Sequence, residues 1–179
     1  MSRVFFTSDL HFGHNNICVN HRGMTVEEND RLIIKNWNNK VSKRDIVYIL
    51  GDITMEKHKF IEDYLNQLQG DIRIIGGNHD NKRCILEYMR LCIPVLGCLE
   101  YKGFICTHIP VHSSQVQFYR GNIHGHIHNF GRMEGPGFVE SEQTKLKYYN
   151  VNTEFHDYAP VLFTDIENEF ISRNNNLKQ

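Results

Sequence analysis

Ile46-Val47-Tyr48-Ile49-Leu50-Gly51-Asp52 is an unbroken apolar run stopped by a glycine and a carboxylate. A strand with one wet face alternates apolar and polar residues. A continuous run of this length marks a strand covered on both faces, the habit of parallel sheets in α/β proteins. The same pattern recurs on either side. Residues 3–8 (Arg-Val-Phe-Phe-Thr-Ser) read as a strand running into Asp9-Leu10-His11, and Ile72 to Ile75 as another that ends at Gly76-Gly77-Asn78-His79-Asp80. Helices fall between them. Thr25-x-x-Glu28 is a capping-box signal that opens a helix to about Asn38, with Leu32, Ile33 and Trp37 on one face. Phe60, Tyr64 and Leu68 repeat at every fourth residue and mark a second helix. This β-α-β-α-β order predicts a parallel sheet with right-handed crossovers.

After a third helical stretch around residues 82–91 the pattern changes. Short strand candidates near 93–101, 104–107, 121–124, 147–151 and 161–164 predict a sheet-rich second half. Residues 109–120 and 129–146 read as long irregular segments, the second holding Gly131, Gly135, Pro136 and Gly137; such loops in compact domains usually carry function or move. Residues 173–179 read as a frayed tail. One α/β domain over 1–172, followed by a disordered tail at 173–179, is the expected organisation.

The chain has 179 residues, 40% of them hydrophobic, enough for one sizeable core. A net charge of −1 excludes a broadly basic surface, so any nucleic-acid partner has to be held locally. Cys18, Cys84, Cys92, Cys98 and Cys106 are odd in number and contain no C-x-x-C pair, which points away from a disulfide framework or zinc ribbon and towards a reducing cytosol. They are expected in the core. Val4-Phe5-Phe6 is too short for a signal-peptide core, and no apolar stretch approaches the roughly 20 residues that span a bilayer. A cytoplasmic protein with no membrane partner is expected.

Five short segments concentrate metal-ligand chemistry: Asp9-Leu10-His11, Gly51-Asp52, Gly77-Asn78-His79-Asp80, Thr107-His108 and Gly125-His126-Ile127-His128. Each follows a predicted strand and so sits on a loop at a strand end, where α/β proteins place their chemistry. Carboxylates mixed with imidazoles suit first-row divalent ions such as Mn²⁺, Fe²⁺, Ni²⁺ or Zn²⁺, whereas an all-oxygen cage suits Mg²⁺ or Ca²⁺. Two such ions about 3.5–4 Å apart need a bridging ligand, and Asp52 is the most central carboxylate in order. Asp9, His11 and one of His126 and His128 complete the first ion; Asn78, His108 and the other complete the second.

With its five blocks in this order from Asp9 to His128, the chain resembles a calcineurin-like metallophosphoesterase. Asn150-Val151-Asn152-Thr153 and Tyr158-Ala159-Pro160-Val161-Leu162 are also similar to the closing strands of small stand-alone bacterial and phage members. The resemblance implies a four-layer α/β/β/α sandwich and two divalent transition-metal ions, manganese first among them. It implies Asp9, His11 and His128 on one ion, Asn78, His108 and His126 on the other, and Asp52 bridging. It further implies in-line attack by a metal-bridging hydroxide, with His79 stabilising the phosphorane or protonating the leaving oxygen and Asp80 orienting His79.

The implied reaction is hydrolysis of a phosphodiester in a nucleotide, a cyclic nucleotide or a nucleic acid. The alternatives are a nucleotide phosphomonoesterase and a non-catalytic scaffold on the same fold. Protein Ser/Thr phosphatases of the superfamily resemble G-D-x-V-D-R-G and G-N-H-E, whereas this chain reads Gly51-Asp-Ile-Thr-Met-Glu and Gly77-Asn-His-Asp, which argues against that class.

Around the ligands, His14 reads equally as a substrate contact or a loop cap. Arg120, Lys82 and Arg83 are candidates for holding phosphate oxygens, though the last two, at a helix start, also fit a solvated face. His124 fits a supporting role behind the ligands. Phe118, Tyr119 and Phe130 either stack on the bases of a single strand or pack their own loops.

Overall fold

The computed structural model describes residues 2–55, 60–129 and 146–176. Phe130, most of the predicted 129–146 loop and residues 177–179 lie outside the described residues. Four parallel strands, β1 (Val4–Thr7), β2 (Ile46–Leu50), β3 (Asp71–Ile75) and β4 (Val95–Leu96), stand in the order β4-β3-β2-β1, and β9 (Val161–Leu162) closes the sheet antiparallel to β1. The continuous apolar runs are explained by what covers them. Phe5, Val47, Ile49 and Ile74 meet Ile33 and Trp37 of α1 (Val26–Lys40), Ile61 and Leu65 of α2 (Ile61–Leu65), and Tyr88 of α3 (Lys82–Arg90). Phe6, Tyr48, Leu50 and Ile75 point the other way, into a second core. Each fully buried large side chain stabilises the fold by about 1.5–3 kcal/mol relative to exposure.

Local signals start the helices as expected. Thr25 Oγ1 accepts from the Glu28 amide at 3.2 Å while Glu28 Oε2 accepts from the Thr25 amide at 2.8 Å, which closes the capping box. Asn81 caps α3 through the amides of Arg83 and Cys84. Asp45 ties the bottom of β2 to β1: its carboxylate accepts from the Arg3 guanidinium at 2.6 Å and from the Arg3 and Ser42 amides.

The second sheet, in order, is β5 (Leu99–Tyr101), β6 (Phe104–Cys106), β7 (Gly121–His124) and β8 (Tyr148–Asn150), parallel except for β5 against β6. Phe104, Cys106, Ile123 and Tyr149 face the first sheet. The register sets Ile105 beside Asn122 and Asn122 beside Tyr148 on the opposite face. There the Val111 amide donates to Asn122 Oδ1 and Tyr148 Oη donates to the Val111 carbonyl. The outer layer is therefore the 109–120 segment with its single-turn helix α4 (Ser113–Val116), and the four layers of the expected sandwich are present with the last one thin.

Three expectations are corrected here. The strand read over 161–164 ends at Leu162, and α5 (Phe163–Asn176) begins at once. Its Phe163, Ile166 and Phe170 enter the core between the sheets, and Arg173 donates to the Tyr148 carbonyl at 2.8 Å. The last helix thus runs on through residues 173–176, where the sequence predicts a frayed tail, with Arg173 anchored on β8. The cysteines divide as well: Cys18, Cys84 and Cys106 are buried, but Cys92 and Cys98 are exposed. Among the described residues no helix is long and apolar enough to cross a membrane.

The two sheets meet at the carboxyl end of β1. The Ser8 amide donates to the Val151 carbonyl and the Thr153 amide to the Ser8 carbonyl, at 3.1 and 3.2 Å. This seam brings the loops after β1, β2 and β3 against those after β6 and β7.

Candidate metal centre

The loops are held in conformations that side chains normally avoid. Asp9, His11, Asp52 and His126 have φ of 56°, 50°, 57° and 67°, half of the eight non-glycine residues with positive φ among the described residues. Such backbone costs of order 1–3 kcal/mol per residue and persists only where the surroundings dictate it. Here the Asp9 amide donates to the Gly51 carbonyl, the His11 amide to the Asp52 carbonyl and the Phe12 amide to the Ile53 carbonyl, at 2.9–3.1 Å.

The glycines of the motifs answer to close approach. A Cβ on Gly77 would lie 2.2 Å from Asp52 Oδ1, one on Gly51 2.5 Å from the Gly77 Cα, and one on Gly125 2.6 Å from Asp9 Oδ2.

The side chains gather into two sets, Asp9 with His11 and His128, and Asp52 with His108 and His126. In the first, His11 Nε2 lies 3.2 Å from His128 Nε2, and His128 Nε2 lies 3.4 Å from Asp9 Oδ1. In the second, His108 Nε2 lies 3.3 Å from Asp52 Oδ2 and 2.8 Å from Asn78 Oδ1. Asp52 Oδ2 is also 3.9 Å from His11 Nε2, which sets that oxygen between the two groups.

These atoms are all of metal-ligand type and face one another at short range. His108 Nδ1 lies 2.7 Å from the Leu50 carbonyl and His128 Nδ1 2.8 Å from Glu154 Oε1; both partners only accept, so in the neutral rings Nδ1 holds the proton and Nε2 is bare. Asp9 Oδ1 is buried without a hydrogen-bond partner. A buried carboxylate oxygen and converging bare nitrogens are stable only when something positive stands among them, and the donor set fits a pair of divalent cations.

Among the side chains, the positive charge that these carboxylates call for falls on His128. Burial pushes His11 down to about 3, against the pull of Asp9 and Asp52, and it lowers His126 as well. Burial opposes ionisation of Asp9 and Asp52, but hydrogen bonds and charge from His128 and His108 outweigh it and lower both carboxyls. Burial is likewise outweighed at His128, which the Asp9 and Glu154 carboxylates raise to about 9. The centre thus keeps its carboxylates charged.

Comparison with known proteins adds the lineage. No family model matches the chain. It is 36% identical over 167 residues to the uncharacterized protein MJ1445 of Methanocaldococcus jannaschii, spanning 90% of this chain and 87% of that protein. A crystal structure of a protein of unknown function from Aquifex aeolicus, AQ665, shares the fold with a TM-score of 0.69 at 22% identity, over 94% of this chain and 99% of that one. Over 94 residues, 50% of this chain and 34% of the relative, it is 31% identical to the glycerophosphodiester phosphodiesterase GpdQ of Enterobacter lignolyticus. The chain thus shares nearly its whole length with proteins whose names give no activity, and half of it with a phosphodiesterase.

Around this centre the remaining candidates separate. His79 is part-exposed beside the centre, its Nε2 3.9 Å from Asp52 Oδ2 and its amide donating to Asp52 Oδ1 at 2.9 Å. His14 joins it: His14 Nδ1 is 3.3 Å from His11 Nδ1, and its ring centroid is 6.5 Å from that of His79.

Asp80 departs from expectation. Its carboxylate accepts from the Asp52 and Gly77 amides and from Tyr88 Oη, and no hydrogen bond joins it to the His79 ring. It braces the Asp52 loop instead of orienting His79.

Arg120 is not at the site. It precedes β7 while the ligands follow that strand, roughly 13 Å further on. There it pairs with Glu167 at 2.6 Å and lies over Phe104. Lys82 and Arg83 are exposed at the start of α3, and Phe118 is exposed. His112 caps α4 and His124 is buried against the Gly125 carbonyl.

Two residues escaped sequence reading. Glu154 contacts His128, and its Oε1 also accepts from Arg22 Nε at 2.9 Å. The available signal was a glutamate directly beyond the Asn150-Val-Asn-Thr motif; its partners, 26 and 132 residues away, left no local trace.

Proposed function

We propose that this chain is a metal-dependent phosphodiesterase that hydrolyses a nucleotide, cyclic nucleotide or single-stranded nucleic-acid phosphodiester. One observation carries the reading: two converging sets of metal-ligand side chains with a single carboxylate oxygen between them. Asp9, His11 and His128 would hold one cation and Asn78, His108 and His126 the other, with Asp52 shared; manganese, iron, nickel and zinc all suit this donor mixture. Such a pair, when bound, lowers the pKa of water and polarises phosphoryl oxygens.

The chain's own residues do the rest. His79, on the open side of the centre, is placed to give a hydrogen bond or proton to the leaving oxygen, and the Asp52 carboxylate fixes its backbone. His14 adds a second imidazole at the same rim for a phosphoryl oxygen. Groups of this kind grip the phosphate and leave substrate choice to the surrounding loops. The named activity of the Enterobacter relative favours a diester over a monoester.

Assaying the metal-freed protein with added Mn²⁺ on bis(p-nitrophenyl) phosphate and p-nitrophenyl phosphate tests this. Faster diester turnover is expected. A monoester preference would promote the phosphatase alternative, and no turnover with Mn²⁺, Fe²⁺, Ni²⁺ or Zn²⁺ would leave the scaffold alternative standing. His79→Ala is expected to lose about 10²-fold in kcat, within the range for general acid catalysis, while still taking up two ions. Unchanged kcat removes His79 from the chemistry.

A further inference from the structure

We propose that the Glu154–Arg22 ion pair is a strap that sets the affinity chiefly of one cation site, the one built from Asp9, His11 and His128. This rests on the metal reading above and adds residues to it that no ligand motif contains.

Three facts carry it. Glu154 and Arg22 are almost fully buried, with 7% and 1% of their side chains exposed, so the pair is an interior brace rather than a surface contact. Glu154 binds the far end of the ligand set: Oε1 accepts from His128 Nδ1 at 2.8 Å and Oε2 from the Asn129 amide at 3.1 Å. Arg22 binds the near end: Nη2 donates to the Asp9 carbonyl at 2.7 Å and Nη1 to the Leu10 carbonyl at 3.1 Å, with Asn29 Oδ1 holding the guanidinium in place at 2.8 Å.

Asp9 follows β1 of one sheet and His128 follows β7 of the other, so the spacing of this ligand set depends on how the two sheets sit. The pair links the two loops directly. Glu154 also decides which nitrogen of His128 is bare, because a carboxylate on Nδ1 keeps the proton there and leaves Nε2 for a cation. Among the described residues, neither side chain hydrogen-bonds to Asn78, His108 or His126; the Leu50 carbonyl holds His108, and Asp9 Oδ2 accepts from the His126 amide. The effect therefore falls chiefly on one ion, and reaches the other only through the Asp9 carboxylate that holds the His126 amide. Glu154 and Arg22 are positioning residues; they touch neither phosphate nor cation.

Titration of the metal-free full chain with MnCl₂, followed by calorimetry, reads this without any turnover. The wild type is expected to bind two ions. Glu154→Gln is expected to weaken one binding event by 10- to 100-fold, the usual scale for losing the partner of a metal-bound histidine, and to leave the other within about twofold. If Glu154→Gln lacks the native circular-dichroism spectrum, Glu154→Asp, which keeps the charge but withdraws it from His128, is read in the same way.

Two unchanged binding events, or two weakened equally, overturn the strap while leaving the metal centre intact. A wild-type chain that takes up no Mn²⁺ overturns the metal reading itself, and the strap with it.

Discussion

Asp52→Asn is expected to lower Mn²⁺-dependent kcat/KM on bis(p-nitrophenyl) phosphate by at least a factor on the order of 10³, about 4 kcal/mol of transition-state stabilisation, with the fold intact. The shape of the side chain is kept, and Oδ1 still accepts the His79 amide that it accepts at 2.9 Å in the native protein. What changes is the other atom. Oδ2 stands 3.3 Å from His108 Nε2 and 3.9 Å from His11 Nε2, the place from which one oxygen can serve both sets. An amide nitrogen there points hydrogens where an electron pair is needed and removes a full negative charge from between two cations. The melting temperature should move little, since an amide can donate to His108 where the carboxylate could not. Turnover within tenfold of wild type, measured at saturating Mn²⁺ alongside metal content, would exclude Asp52 as the shared ligand.

Gly77→Ala is expected to be nearly as damaging, by about 10²- to 10³-fold in kcat/KM, although Gly77 is not a ligand. Its new Cβ would stand 2.2 Å from Asp52 Oδ1, 2.6 Å from the Asp52 amide nitrogen and 3.0 Å from the Asp52 Cγ. None of these is the free end of a flexible side chain. The Asp52 and Gly77 amides both donate to Asp80 Oδ2, at 3.0 and 2.8 Å, so the two loops cannot separate without breaking that bracket. The carboxylate must shift by roughly 1 Å, and misplacement on that scale costs about 10²-fold in a preorganised site. Gly97→Ala is the control, since a Cβ there meets nothing within 4 Å. Equal kcat/KM for Gly77→Ala and wild type would show that the loops have slack which the geometry denies them.

Much of this molecule was legible in the chain, residue by residue. The apolar runs ending at Asp52 and Asn78 placed β2 and β3, and the Thr25–Glu28 box placed the start of α1, because strand pairing on both faces and helix capping are written in short-range pattern. The motif glycines were visible as well, but the reason for them was not: Gly77 is needed because Asp52, 25 positions earlier, lies against it.

The misreadings share a cause. Arg120 is close to His124 and His126 in sequence yet at the opposite end of β7, since a strand carries its two ends apart. Asp80 stands next to His79 but turns to Tyr88 and the Asp52 loop. The helix α5 was hidden by Val161 and Leu162, which pair with β1 immediately before it begins.

By itself the sequence determined the ligand types, their places just beyond strand ends and the parallel half of the fold. These follow from the period of the apolar residues and from turn chemistry, both of which act over a few positions. The residue pattern alone left open which of His126 and His128 joins which set, and the resemblance supplied an answer; only the tertiary structure gave the atoms and distances of the two groups and decided that Glu154 reaches across to Arg22. Those choices depend on how two sheets stack and which loop ends the stacking brings within 3–4 Å, a distance that no local pattern encodes.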